Sequence, residues 1–114
     1  MYDLYLNNNK WYAYVDFGDD MTVQFNIEDN GVPVDLTGQV LVLGIKQGKT
    51  VLLSVTGTVA ADAVTFDITY DLMVDAGIEP GKTYKFDFWN KTNRYTYIEE
   101  GQFKVDEVSH EVED

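Results

Sequence analysis

The sequence predicts an all-β domain, a sandwich or small barrel of about seven short strands with one short helical turn. Three observations carry that expectation. Apolar and polar residues alternate with period two through much of the chain, turn-forming residues fall between the alternating runs, and only one segment has a helical pattern.

Val23, Phe25 and Ile27 alternate with Thr22, Gln24 and Asn26, which gives one buried and one wet face. Val64, Phe66 and Ile68 alternate with Thr65, Asp67 and Thr69 in the same way, and Tyr84, Phe86 and Phe88 with Lys85, Asp87 and Trp89. The run from Val40 to Ile45 is apolar on both faces, as a central strand requires. Trp11–Phe17 and Arg94–Glu100 are rich in Tyr, Val, Ile and Thr, which suit a pleated surface. Gln102–Val105 closes the sheet, and Tyr2–Leu6 reads as a short edge strand. Glu28-Asp29-Asn30-Gly31, Gln47-Gly48-Lys49 and Lys91-Thr92-Asn93 read as hairpin turns. Glu79-Pro80-Gly81 is a further turn, with proline fixing φ. The segment Tyr70–Gly77 is the helical one, with Asp71 as the expected cap and Gly77 as the stop.

Composition narrows the function. The chain has 114 residues and a net charge of −12, from 20 acidic and 8 basic residues. The bases are scattered, whereas proteins that neutralise phosphate need clustered Lys and Arg. Nucleic acid and anionic membrane are therefore not expected partners. No apolar run approaches the roughly 20 residues of a membrane span. The start, Met1-Tyr2-Asp3-Leu4, lacks the basic and apolar regions of a signal peptide, so synthesis in the cytoplasm is expected. With no cysteine there is no disulfide, thiolate ligand or thiol nucleophile. No cofactor is expected.

Chemistry-bearing patterns are sparse. Asp16, Asp19 and Asp20 place three carboxylates within five residues, which could offer oxygen ligands to Ca²⁺. The spacing does not match an EF-hand, and a solvated turn is the favoured reading. Glu99 and Glu100 are adjacent in a predicted strand, so they should point to opposite faces and not share a substrate. The lone histidine, His110, lies in an acidic stretch and suits solvent or an interface better than general-base catalysis. Ser54 and Ser109 lie in no nucleophile elbow. Catalysis is not expected.

The aromatic residues are more informative. If Trp11, Ala13, Val15 and Phe17 face the core, Tyr12 and Tyr14 face outward. By the same reasoning Trp89 faces outward beside Phe86 and Phe88. Exposed Tyr and Trp suit a protein interface and sugar stacking alike. The expected organisation is one domain over residues 1–105 and an acidic tail over residues 106–114. In that tail Val108, His110 and Val112 alternate as a segment that pairs with a sheet edge would.

A family resemblance sharpens these expectations. The string Gly18-Asp19-Asp20, the alternating Val23, Phe25 and Ile27, and Asn30-Gly31 followed by Pro33-Val34-Asp35-Leu36-Thr37-Gly38 resemble the opening of a group of phage and prophage domains. Gly81, Tyr84, Phe86-Asp87-Phe88, Glu100-Gly101, Phe103 and Val105 continue the likeness. The chain resembles, over about residues 14–106, the immunoglobulin-like N-terminal domain of phage baseplate upper proteins and related long-tail-fibre-associated sandwich domains. Its most specific element is Pro33–Gly38. The resemblance implies an immunoglobulin-like β-sandwich and a non-catalytic virion component that works with other virion proteins; the acidic tail and outward aromatics separately allow a homo-oligomer. Baseplate upper proteins usually continue into helical and receptor-adaptor regions that these 114 residues do not contain. The expected role is therefore that of a tail, baseplate, connector or capsid accessory. A carbohydrate-binding or host-adhesion module built on Tyr12, Tyr14 and Trp89 is the alternative.

Overall fold

The computed structural model describes residues 2–107. It is a β-sandwich. A six-stranded sheet packs on a three-stranded one, with a small two-stranded hairpin at one end. The strands are β1 (Tyr2–Asn7), β2 (Lys10–Asp16), β3 (Met21–Asn26), β4 (Glu28–Asp29), β5 (Val32–Pro33), β6 (Leu41–Gln47), β7 (Thr50–Thr56), β8 (Thr58–Ala60), β9 (Ala63–Ile68), β10 (Lys82–Asn90) and β11 (Tyr95–Asp106). The larger sheet has the order β1-β2-β11-β10-β6-β7, and the smaller β3-β9-β8. All neighbours are antiparallel except β2 and β11, which run parallel.

Eleven strands among the described residues exceed the seven or so expected, for identifiable reasons. The pair β4–β5 contributes two residues per strand around the Asn30-Gly31 turn, where φ is +52° and +81°. β7 is masked in the sequence because a register shift against β6 leaves Leu52 and Leu53 both half-buried. The expected strands Arg94–Glu100 and Gln102–Val105 are one strand, β11, which runs to Asp106.

The core lies between the sheets. Ala13, Val15, Leu43, Ile45, Phe86, Phe88, Phe103 and Val105 of the larger sheet meet Met21, Val23, Phe25, Val64, Phe66 and Ile68 of the smaller. Phe88 is the aromatic hub. Its ring stacks on Phe25 at 4.5 Å and meets Phe66 edge-on at 5.4 Å. Such pairs add about 0.5–1.5 kcal/mol beyond burial.

The loop Pro33–Gly38 is a plug. Asp35 accepts from the Thr37 amide at 3.0 Å and the Thr37 hydroxyl at 2.6 Å, and Gly38 takes φ +81°. Those bonds hold Leu36 fully buried between them. The two acceptor bonds, the hydroxyl's first, hold the Asp35 carboxyl below the usual range. Asn90, fully buried, accepts from the Thr92 and Asn93 amides and donates to Gln39 Oε1. It thereby ties the β10–β11 turn to the plug.

The single helix among the described residues, α1 (Tyr70–Asp75), carries the chain from the smaller sheet to the larger. Its cap is Thr69, not the expected Asp71: Thr69 Oγ1 accepts from the Leu72 amide at 3.2 Å. Gly77 stops it at φ +79°, as expected, and Met73 anchors it in the core.

Candidate functional site

Three surfaces carry the residues of interest. The first is the outer face of the larger sheet where β1, β2 and β11 lie side by side. Ala13 and Val15 point inward, so Tyr12 and Tyr14 point outward, as the alternation requires. Across the hairpin Tyr12 faces Tyr5, and their rings stack at 5.3 Å. Tyr14 sits opposite Asp3 on one side and Lys104 on the other. Partial desolvation, then the Asp16, Asp106 and Asp3 carboxylates, push the Tyr14 phenol above its usual range. These side chains rim a shallow depression of about 390 Å³ with Gln102, Lys104 and Asp106.

Beside this patch lies the edge strand β1. Tyr2, Tyr5 and Leu6 are exposed on it, at 42%, 46% and 53%. Natural edges are commonly blunted by proline, lysine, bulges or a covering loop. β1 has none of the first three; its one charge, Asp3, accepts from the Leu4 amide at 2.8 Å.

Trp89 also faces outward, half-buried, in a second depression of about 460 Å³ with Lys91 and Arg94. It is not part of the tyrosine patch. Trp89 pairs with Thr96, whereas Tyr12 pairs with Gln102. Counted along β10, where Lys85 is level with Gln102, the offset is four residues, about 13 Å at about 3.3 Å per residue, with β11 lying between. The structure thus divides the three aromatic residues between two surfaces.

The third surface was not legible in the sequence. It is a cleft between the sheets where the β10–β11 hairpin projects past the β1–β2 turn. Two adjoining depressions of about 420 and 450 Å³ share Asn26, Ile27 and Tyr97. The floor is aromatic: Trp11 meets Phe25 edge-on at 5.7 Å, and Tyr97 leans on Phe88 at 4.9 Å. Two bulges in β11 create it. Against β10, the register passes over Tyr97 and takes up Glu99 and Glu100 opposite a single residue. Tyr97 and Ile98 thereby both line the cleft.

The same bulge corrects the expectation for Glu99 and Glu100. They do not alternate between faces; both are exposed, and Glu100 takes φ +58°. Glu100 pairs with Lys85 at 2.9 Å, and that contact holds its carboxyl below the usual range.

The aspartates are differently engaged. Asp16 is buried rather than in a solvated turn, and its carbonyl accepts from the Asp19 amide. Asp20 accepts from the Tyr70 amide at 2.9 Å, at the start of α1. Among the described residues, no group of three or more acidic or histidine side chains converges as metal ligands would. Val108, His110 and Val112 lie outside the described residues.

No protein-family model matches the chain, and no curated protein is significantly similar to it.

Proposed function

We propose that this protein is a non-catalytic structural or accessory component of a bacteriophage particle, in a tail, baseplate, connector or capsid-associated position, and that it works through protein–protein contacts. The observation that carries the reading is β1: a six-residue edge strand with Tyr2, Tyr5 and Leu6 exposed, continuous with the Tyr5–Tyr12 stack. A free strand edge offers main-chain hydrogen bonds, and rigid aromatics beside it offer contact area at low entropic cost. Other virion proteins are the partners in this reading, with a second copy of the chain as an additional one. The phage assignment itself rests on the resemblance of Pro33–Gly38 and the flanking motifs.

The test is incorporation. Particles from a culture expressing the chain are banded by density and analysed for its peptides. The chain should band with particles at a fixed stoichiometry, and Leu6→Lys with Tyr12→Ala should reduce that amount. Absence of the wild-type chain from the band would sink the reading.

The depression around Tyr5, Tyr12 and Tyr14 supports a second reading, a carbohydrate or host-surface adhesion site, because Gln102, Lys104 and Asp106 supply polar contacts beside the rings. Against it, the Tyr5–Tyr12 stack uses one face of each ring. Saturable binding of a host polysaccharide, lost in Tyr12→Ala, would favour this alternative.

A further inference from the structure

The cleft has an unused strand edge along it. β2 begins at Lys10, which the parallel register places level with Glu100, so the side of β11 facing away from β10 has no strand beside Tyr95–Glu99 among the described residues. Across the cleft, β3 is likewise the outer strand of its own sheet. Two free edges therefore flank an aromatic floor. The free stretch, Tyr95–Glu99, is five residues long, the length of a short strand; the bulge at Tyr97 breaks its register with β10 but leaves its other side uncovered among the described residues.

The charge at this end narrows the occupant. Glu28 and Asp29 stand at the rim, both exposed, and neither has an ion-pair partner among the described residues. Glu99, also exposed, lies on the free stretch of β11. An acidic segment would meet like charge here. The acidic C-terminal residues of this chain, and a second copy carrying −12, are poorly matched to it.

From these observations we infer that the cleft is a docking site for an extended, basic segment of a partner protein, which joins the free edge of β11 as an added strand. Alternate apolar side chains enter the Trp11, Phe25 and Tyr97 floor, while the intervening Lys or Arg side chains face Glu28, Asp29 and Glu99. The inference rests on the reading of the protein as a component that works by protein contacts, and it adds the partner's chemistry.

Backbone amide NMR on the full chain tests it. The probe is a peptide of about eight residues alternating Lys with Val, in about 150 mM salt to screen diffuse attraction. Two controls accompany it: the same composition with Lys and Val in separate blocks, and a peptide alternating Glu with Val. The alternating basic peptide should shift amides at Gln24–Ile27 and Tyr95–Glu99 saturably, and the controls should not. Glu28→Gln with Asp29→Asn, both exposed and harmless to the fold, should weaken binding by roughly threefold or more. Tyr97→Ala should weaken it further. Equal binding of the acidic or blocked peptide, shifts confined to Tyr2–Asn7, or no shifts at all would each overturn the inference. Particle incorporation without peptide binding would overturn this inference alone. Peptide binding by a chain absent from particles would overturn the particle assignment alone.

Discussion

Gly101 has no room for a side chain. It lies opposite Phe86 in the β10–β11 ladder, and a methyl group on it would sit 2.6 Å from Cζ and 2.9 Å from Cδ1 of that ring. Phe86 cannot retreat, because it is 1% exposed and backed by Ile45 at 0%. Gly101→Ala therefore overpacks the core, at a cost of about 1–3 kcal/mol. At about 4–8 °C per kcal/mol for a domain of this size, the melting temperature should fall by roughly 4–24 °C. The assay is thermal unfolding by far-UV circular dichroism, with urea titration to show a lower midpoint at unchanged slope. Gly38 is the matched contrast, with nothing within 4 Å but φ +81°. Gly38→Ala should cost about 1–2 kcal/mol through backbone strain alone. Asparagine tolerates that conformation, so Gly38→Asn should recover most of the loss, whereas Gly101→Asn should recover none. A melting temperature for Gly101→Ala at or above wild type would refute the packing argument.

Other consequences are as direct. Asn90→Ala orphans the Thr92 and Asn93 amides and should cost about 1–3 kcal/mol in urea titration, while broadening NMR signals from Tyr95 and Tyr97 on the adjoining strand. Glu100 titrates below its usual range through Lys85, so its contribution is present above the unfolded-state pKa and is lost as pH falls through the folded one. Glu100→Gln should therefore flatten the acid limb of the stability–pH curve, and a parallel curve would refute the coupling. Chelator should leave the melting temperature unchanged, whereas a cation site filled at about 100 times its dissociation constant would reveal itself as a loss of about 2.7 kcal/mol.

The sequence made the sandwich legible wherever alternation ran unbroken, as in Thr22–Ile27 or Tyr84–Phe88. Turns declared themselves through residues that accept positive φ, including Asn30-Gly31, Gly48 and Gly77. Asn8 and Asn9, at +52° and +62°, carry the same signal for the β1–β2 hairpin, without a glycine to mark it. Bulges defeated the rest. A bulge breaks the period that reveals a strand, which hid β7 and misaligned Glu99 with Glu100. The outward direction of Tyr12, Tyr14 and Trp89 followed from local alternation, but their separation did not, because it depends on which strands become neighbours. The cleft was further out of reach. Trp11, Phe25 and Tyr97 come from three elements distant in sequence, and Tyr97 is aimed by a bulge that no periodicity announces. Asp16 read as a loop acid because burial of a carboxylate is a tertiary fact.

The most direct test of the central claim is hydrogen exchange of the chain measured twice, free and within purified particles. If the protein works as a component held by its edge strand, backbone amides of Tyr2–Asn7 should exchange much more slowly in the particle, while the interior strands β9 and β10 change little. Failure to find the chain in particles, or equal exchange of Tyr2–Asn7 in the two states, would contradict it.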